Sequence, residues 1–371
     1  MPSSKSGSSL WNKFPLKTGH RWLNLLLFFV PAAIVLDLLH APSPLIFIAS
    51  ALAIAPLASV LGESTGVLAA SSGPAIGGLL NATMGNATEM IIALFALHAG
   101  HINVVKASLS GSIIGNLLLV LGLSLVAGGS RHSVQRFSRD TTAMNSTMLM
   151  IAVTALVMPA VFNLTVFGTL QHHDISLEHL SLWTSGVLIL LYLLNLLFVF
   201  RNRRARIEAM QQEEGAPETS RGQAIAALAL STVLIAIMSE VLVGQIAPVT
   251  KALGMTELFV GVIVVALVGN AAENSTAVIM ARRNKLDLSM SIATGASTQI
   301  ALFVAPVLVF VSFVMGNPMT LVFNGFEIAA IALSVVIVAM ISADGETNWF
   351  EGAQLLAVYA IVAVAFYFVP E

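Results

Sequence analysis

Hydrophobic and polar positions along this chain fall into long blocks, not into the short alternation of a half-buried strand or the single apolar stripe of a soluble helix. Apolar runs of about 20 residues, the length that crosses the hydrocarbon of a bilayer as a helix, recur at 22–40, 44–71, 74–97, 103–127 and 142–162. Six more follow at 179–200, 223–246, 257–281, 286–315, 320–342 and 350–369. The pattern predicts an all-α integral membrane protein with eleven transmembrane helices. Polar residues 1–19 lead into a full-length apolar run without a small-residue cleavage site, so that run is expected to stay as an anchor. A charged stretch near 201–221 divides the rest. The expected domains are 1–43 (cytoplasmic N-terminus and first helix), 44–200 (first five-helix unit), 201–222 (cytoplasmic linker) and 223–371 (second five-helix unit).

Composition agrees with the blocks. Of 371 residues, 57% are hydrophobic and 10% charged, against about 25% charged in soluble domains, and the mean hydropathy is +0.90. A net charge of −2 gives no reason to expect a nucleic-acid partner. The absence of cysteine excludes disulfides, thiolate metal sites and cysteine nucleophiles. No His-Glu-x-x-His motif is present, so intramembrane hydrolysis has no support and an enzyme is not expected; nor is a resident cofactor.

The placement of charge orients the spans, because cytoplasmic loops hold an excess of Lys and Arg. With the N-terminus inside, alternation puts Lys5, Lys13, Lys17, Arg21, Arg131, Arg136, Arg139, Arg201, Arg203, Arg204, Arg206, Arg221, Arg282, Arg283 and Lys285 in the cytoplasm. Only Lys106 and Lys251 fall outside that set, Lys106 in the first turn of a span, where its stem can snorkel outward. The C-terminus then lies on the opposite side. The same topology puts Asp344, Glu346 and Glu351 in an ordinary polar cytoplasmic loop, and His172, His173 and His179 in an outer one.

A single offset of 184 residues superposes 77–122 on 261–306 without a gap, matching Gly77 with Gly261, Gly85 with Gly269, Asn86 with Asn270, Glu89 with Glu273 and Gly111 with Gly295. The connecting loops do not match. His98-Ala-Gly-His101 lacks Lys and Arg, whereas Arg282-Arg-Asn-Lys285 is basic and cytoplasmic. The five-span unit therefore recurs upside down, as in secondary transporters whose ion site lies near the midplane between two inverted repeats.

Glu89 and Glu273 lie inside their spans, where a charged carboxylate costs about 2.5–3.5 kcal/mol on insertion scales. No Lys or Arg stands in the interior of a run to pair with them. Two facing carboxylates are neutralised by one divalent cation or by two protons, which favours exchange of a divalent ion against H+. Asn86 and Asn270 stand three residues earlier, on the same helical face as each glutamate. Gly85 and Gly269 permit close backbone approach or an opened turn. The next span of each half carries Ser112 and Asn116, and Ser297 and Gln299, completing an oxygen-rich set suited to Ca2+. Glu63 and Glu240, in the first span of each unit, are expected to line the two entrances or relay protons. A passive cation channel remains a competing reading of paired glutamates.

At these residues the chain resembles the calcium/proton (cation/H+) exchangers of the cation/calcium antiporter superfamily. The resemblance runs from Pro56-Leu-Ala through Gly73-Pro-Ala-Ile-Gly-Gly-Leu-Leu-Asn-Ala-Thr-Met-Gly-Asn-Ala-Thr-Glu89. It continues in Gly269-Asn-Ala-Ala-Glu273, in Gly295-Ala-Ser-Thr-Gln299-Ile-Ala-Leu-Phe-Val-Ala-Pro306 and in Asp344-Gly-Glu-Thr-Asn-Trp-Phe-Glu351-Gly. It implies eleven helices in a one-plus-five-plus-five arrangement and Ca2+ leaving the cytoplasm against H+ by alternating access, with a sodium/calcium exchanger as the alternative. By the resemblance Glu89 and Glu273 match the essential glutamates, and Asn86, Asn270 and Gln299 match positions lining the site. Many relatives carry Ser directly after the glycine matching Gly295, where this chain has Ala296. The partners implied are Ca2+ and H+ as transported ions and the lipid bilayer, with homo-oligomerisation open.

Overall fold

A computed structural model describes residues 21–170, 174–201 and 220–369. His172, His173 and most of the charged linker lie outside the described residues. The described chain is almost wholly helical: α1 (Arg21–Leu26), α2 (Phe29–Leu38), α3 (Ser43–Ser71), α4 (Pro74–Met84), α5 (Ala87–His98), α6 (Ile102–Gly129), α7 (Arg139–Phe167) and α8 (Ile175–Arg201). Then come α9 (Arg221–Gly244), α10 (Ile246–Leu253), α11 (Glu257–Gly269), α12 (Ala271–Arg282), α13 (Leu286–Val314), α14 (Gly325–Ile341) and α15 (Trp349–Phe368). Among the described residues, α3, α6, α7, α8, α9, α13 and α15 contain stretches long and apolar enough to cross a membrane.

Three of the predicted runs are divided between helices and a fourth is helical only in part. Run 22–40 is divided into α1 and α2, and run 320–342 becomes helical only at Gly325. There Asn324 caps the first turn, its Oδ1 accepting from Glu327 N at 2.8 Å while Glu327 Oε2 accepts from Asn324 N at 3.0 Å. The segment before that cap is not lipid-facing coil. Met319, Leu321 and Phe323 are buried, and the amides of Met319 and Leu321 donate to the hydroxyls of Ser312 and Ser181, which satisfies these non-helical backbone groups. The other two interruptions, at Gly85-Asn86 and at Asn270, split runs 74–97 and 257–281 and concern the site.

Burial separates centre from rim. In the most apolar window of α6, 78% of residues are buried inside the protein, against 17% in α8 and α15, so α6 is a central pillar and the latter two present their apolar sides to lipid. α3 packs along α9, α6 crosses α11, and α12 lies against the second half of α6. The helix bounds repeat at the sequence offset: α5 starts at Ala87 and α12 at Ala271, α6 at Ile102 and α13 at Leu286. At one end, β1 (Gln135–Arg136) pairs antiparallel with β2 (Glu346–Thr347), and Arg136 meets Glu346 at 3.0 Å. Glu351 accepts from the Thr347 hydroxyl and stands in the first turn of α15, capped by Asn348, not in the polar loop expected for it.

Candidate cation site

Two half-helices restart at the same kind of break. Asn86 (φ −98°, ψ 21°) and Asn270 (φ −88°, ψ 6°) leave helical geometry, and α5 and α12 begin on the next residue. Glu89 and Glu273 stand third in these new helices, where first-turn N–H groups lack intrahelical partners and complement negative charge. A continuous helix would present no such end inside the bundle.

Each glutamate reaches into space left by a glycine of the other half. A Cβ added at Gly269 would lie 2.9 Å from Glu89 Cγ and 3.6 Å from its Oε1. At Gly85 it would lie 3.4 Å from Glu273 Oε1 and 3.7 Å from Gln299 Oε1. The two carboxylates therefore cross between the halves and share one compartment with Gln299.

The asparagines cross as well. Asn86 Nδ2 donates to Gln299 Oε1 at 2.6 Å. Asn270 Nδ2 donates to Ser112 Oγ at 2.8 Å and to Ala266 O at 2.9 Å, while its Oδ1 accepts from Asn116 Nδ2 at 3.3 Å. All five side chains come from the interrupted helices or from α6 and α13. In those two helices Gly115–Val120 and Ile300–Val304 are π-helical, a distortion frequent at functional sites.

What these bonds leave over defines the chemistry. Among the described residues, Glu89 Oε1 and Oε2, Asn86 Oδ1, Glu273 Oε2 and Asn274 Oδ1 are buried without a donor. Glu89 is 7% exposed, and Glu273 as a whole is half-buried. Every one of these atoms is an acceptor. Neither glutamate forms a salt bridge among the described residues, and leaving such oxygens uncompensated is costly. A positive occupant, a hard cation or protons, would satisfy these oxygens. A cavity of about 10 Å³ beside Ser112, Asn116, Asn270 and Asn274 has room for a single water.

Not every predicted residue joins this cluster. Ser297 Oγ donates to Ala293 O at 3.0 Å and lies 3.5 Å from Ile113 O, so its hydroxyl is turned into the α6–α13 contact. Glu63 is half-buried on α3 and accepts from Ser59 Oγ at 3.2 Å; Glu240 is exposed on α9. Sequence reasoning also missed a third buried carboxylate, Glu327, which is 3% exposed. Its signal was the Asn324-Gly-Phe-Glu327 capping box inside a stretch read as a uniform span.

Comparison with known proteins places this arrangement. The sodium/calcium exchanger protein family matches residues 42–201 and 223–368, covering both halves. The Ca2+/H+ antiporter of Aphanothece halophytica is 43% identical, with 93% of this chain and 96% of that protein aligned. The Bacillus subtilis Ca2+/H+ antiporter ChaA is 43% identical over 91% of this chain and 96% of its own length. A crystal structure of the Ca2+/H+ antiporter protein YfkE superposes with a TM-score of 0.82 at 41% identity, covering 94% of this chain and all of that one. The chain belongs to the sodium/calcium exchanger protein family.

Proposed function

We propose that this chain is a secondary active antiporter that exports Ca2+ from the cytoplasm in exchange for H+, with the ion held between Glu89 and Glu273. The observation that carries the reading is the buried group of donorless oxygens on Asn86, Glu89 and Glu273. Ca2+ takes six to eight oxygen ligands, and its double charge balances two carboxylates. Two protons balance them equally well, so the same pair accepts either cargo but not both. An empty dianionic compartment resists reorientation, which couples the two fluxes. The names of the relatives that align over the whole chain agree with this choice of ions.

The architecture that supports alternating access is eleven spans, with α4–α5 and α11–α12 each acting as one broken span and the two five-helix units inverted. The repeat of helix starts at a fixed offset supports it, as does the contact of Ser297 with Ile113, its own counterpart 184 residues earlier. Helices α6 and α13 thus meet at equivalent positions, as expected beside a local two-fold axis. The N-terminus lies in the cytoplasm and the C-terminus opposite, with residues 44–200 and 223–371 as the repeats and 201–222 as the cytoplasmic linker. Asn86, Asn270, Gln299, Ser112 and Asn116 complete the site; Glu63 and Glu240 serve the two mouths.

The test is radiolabelled Ca2+ uptake into proteoliposomes under an imposed pH gradient, repeated under a Na+ gradient. Uptake driven by H+ alone is expected. Uptake driven only by Na+ would replace this reading with sodium/calcium exchange, and flux needing no counter-ion would make the protein a channel.

A further inference from the structure

Outside the ion compartment, the most unusual chemistry lies at the other end of α6. Glu327, at the start of α14, is nearly inaccessible, and its Oε1 accepts from Ser110 Oγ at 2.6 Å. One turn before Ser110, on the same face of α6, Lys106 donates to Val322 O at 3.0 Å and to Thr320 Oγ1 at 3.2 Å. Both acceptors are half-buried and belong to the connection between α13 and α14, itself pinned through the Met319 and Leu321 amides. A cation and a carboxylate from opposite halves of the chain thus tie one end of α6 to an immobilised segment. Burying such charges is expensive, and apolar side chains often do as well or better for stability alone. The other half of this chain does without such a charge on the matching helix. At the offset of 184 the counterparts of Lys106 and Ser110 are Met290 and Thr294, neither of them charged.

We propose that Lys106 and Glu327 are positioning residues that fix α6 so that Ser112 and Asn116 meet Asn270 at the ion site. Ser112 follows Ser110 by less than a turn, and the α-helical ladder is regular from Ile102 to Ile114. Beyond it the helix becomes π-helical from Gly115, where hydrogen-bond register no longer defines orientation as firmly. The rigid part of α6 that carries Ser112 is therefore the part anchored by Lys106 and Ser110. The fork of Asn270 bonds to Ser112 and Asn116 needs both groups within a few tenths of an ångström, a tolerance that a loosely seated helix does not hold. This inference rests on the assignment of Ser112, Asn116 and Asn270 to the ion site.

The test compares variants of the full-length protein in proteoliposomes, using initial rates of H+-driven Ca2+ uptake normalised to folded protein. Lys106→Met is expected to raise the apparent KM for Ca2+ about tenfold and to change the maximal rate less than about threefold, the pattern of lost binding. Lys106→Arg should stay within about threefold of the parent in KM, since the charge and donors persist. The double variant Lys106→Met/Glu327→Gln should keep the raised KM of Lys106→Met, because the bonds to Thr320 and Val322 are lost in both. An unchanged KM in Lys106→Met, or a double variant that returns to the parent KM and so traces the effect to a stranded charge alone, overturns the proposal. So does an altered H+:Ca2+ ratio in Glu327→Gln, which would make Glu327 a proton carrier. Should Lys106→Met not fold, Ser110→Ala takes its place with an expected KM rise of about threefold; no rise overturns the proposal. Ser112→Ala run in parallel separates the two claims. A normal KM there sinks the site assignment, whereas a raised one beside a normal Lys106→Met sinks only the positioning role.

Discussion

The two halves of the candidate site carry the same Gly-Asn-Ala-x-Glu signature, yet their asparagines do different work. Asn86 gives one amide hydrogen bond, to Gln299, and keeps its oxygen free in the compartment. Asn270 is spoken for at both ends, donating to Ser112 and Ala266 O and accepting from Asn116. One is left open at its oxygen, as the proposed ligand role requires; the other is the knot that ties α12 to α6. The difference shows that two halves with one signature need not present identical surroundings to whatever lies between them. One half can supply oxygens while the other supplies rigidity, with each carboxylate crossing to the opposite side.

The glutamates are where the halves should remain equal. Glu89→Gln and Glu273→Gln are each expected to lower pH-gradient-driven Ca2+ uptake by at least about 100-fold, since one remaining carboxylate cannot balance a divalent ion in a low-dielectric site. Size-exclusion profiles should stay those of folded protein. Retained exchange in either variant would remove that glutamate from the site.

A sharper asymmetry is expected one helix away. A Cβ at Gly111 would come within 2.1 Å of Val262 O, while its counterpart Gly295 has nothing within 4 Å. Gly111→Ala must push α6 away from α11 and is expected to cost at least about 3 kcal/mol or prevent recovery of folded protein. Gly295→Ala should shift the melting temperature by no more than about 2 °C. Equal effects would mean that these helices cross differently from the geometry described.

The asparagines themselves come next. Asn86→Ala is expected to raise the KM for Ca2+ about tenfold, about 1.4 kcal/mol of binding, with little change in melting temperature. Asn270→Ala strands the donors and acceptors of Ser112 and Asn116 and should cost about 1–3 kcal/mol of stability, readable as a lower melting temperature in detergent. If Asn86→Ala were the destabilising one, the ligand and knot roles would be reversed.

Much of this was legible in the chain, for reasons that differ from residue to residue. Helical membrane architecture followed from block length, because a bilayer admits few other solutions for long apolar runs. The matching of halves followed from one gapless offset, whereas the shared helical face expected of Asn86 and Glu89 overlooked that Asn86 leaves helical geometry just before α5 begins. The breaks at Asn86 and Asn270 were not legible in position, since hydropathy averages over a turn and Gly-Asn inside an apolar run reads as a continuous span. Glu327 was hidden the same way, its neighbours apolar enough to mask a capping box. Lys106 was expected to snorkel outward; its ammonium instead bonds to Thr320 and Val322, beside a cavity of 390 Å³ that it lines with Asp174 and Glu257, and these partners, more than 200 residues away, lie beyond the reach of any local pattern.

The smallest expected effect concerns the two serines that sequence alone could not tell apart. Ser112 and Ser297 both stand on the helix after a glutamate and both are buried, at 3% and 0% exposure. Their hydroxyls do opposite things. Ser112 accepts from Asn270, so Ser112→Ala leaves an amide proton of Asn270 short of a partner in a site whose geometry depends on it, and the KM for Ca2+ should rise about threefold. Ser297 donates to Ala293 O of its own helix, a bond that contributes little because that carbonyl is already in the helical ladder. Ser297→Ala should therefore leave the KM within about twofold of the parent, within the spread expected for a lost back-bond. A larger effect at Ser297 than at Ser112 would show that the backbone turns during the cycle to present Ser297 where Ala296 offers no hydroxyl, and would move the second half from scaffold towards ligand.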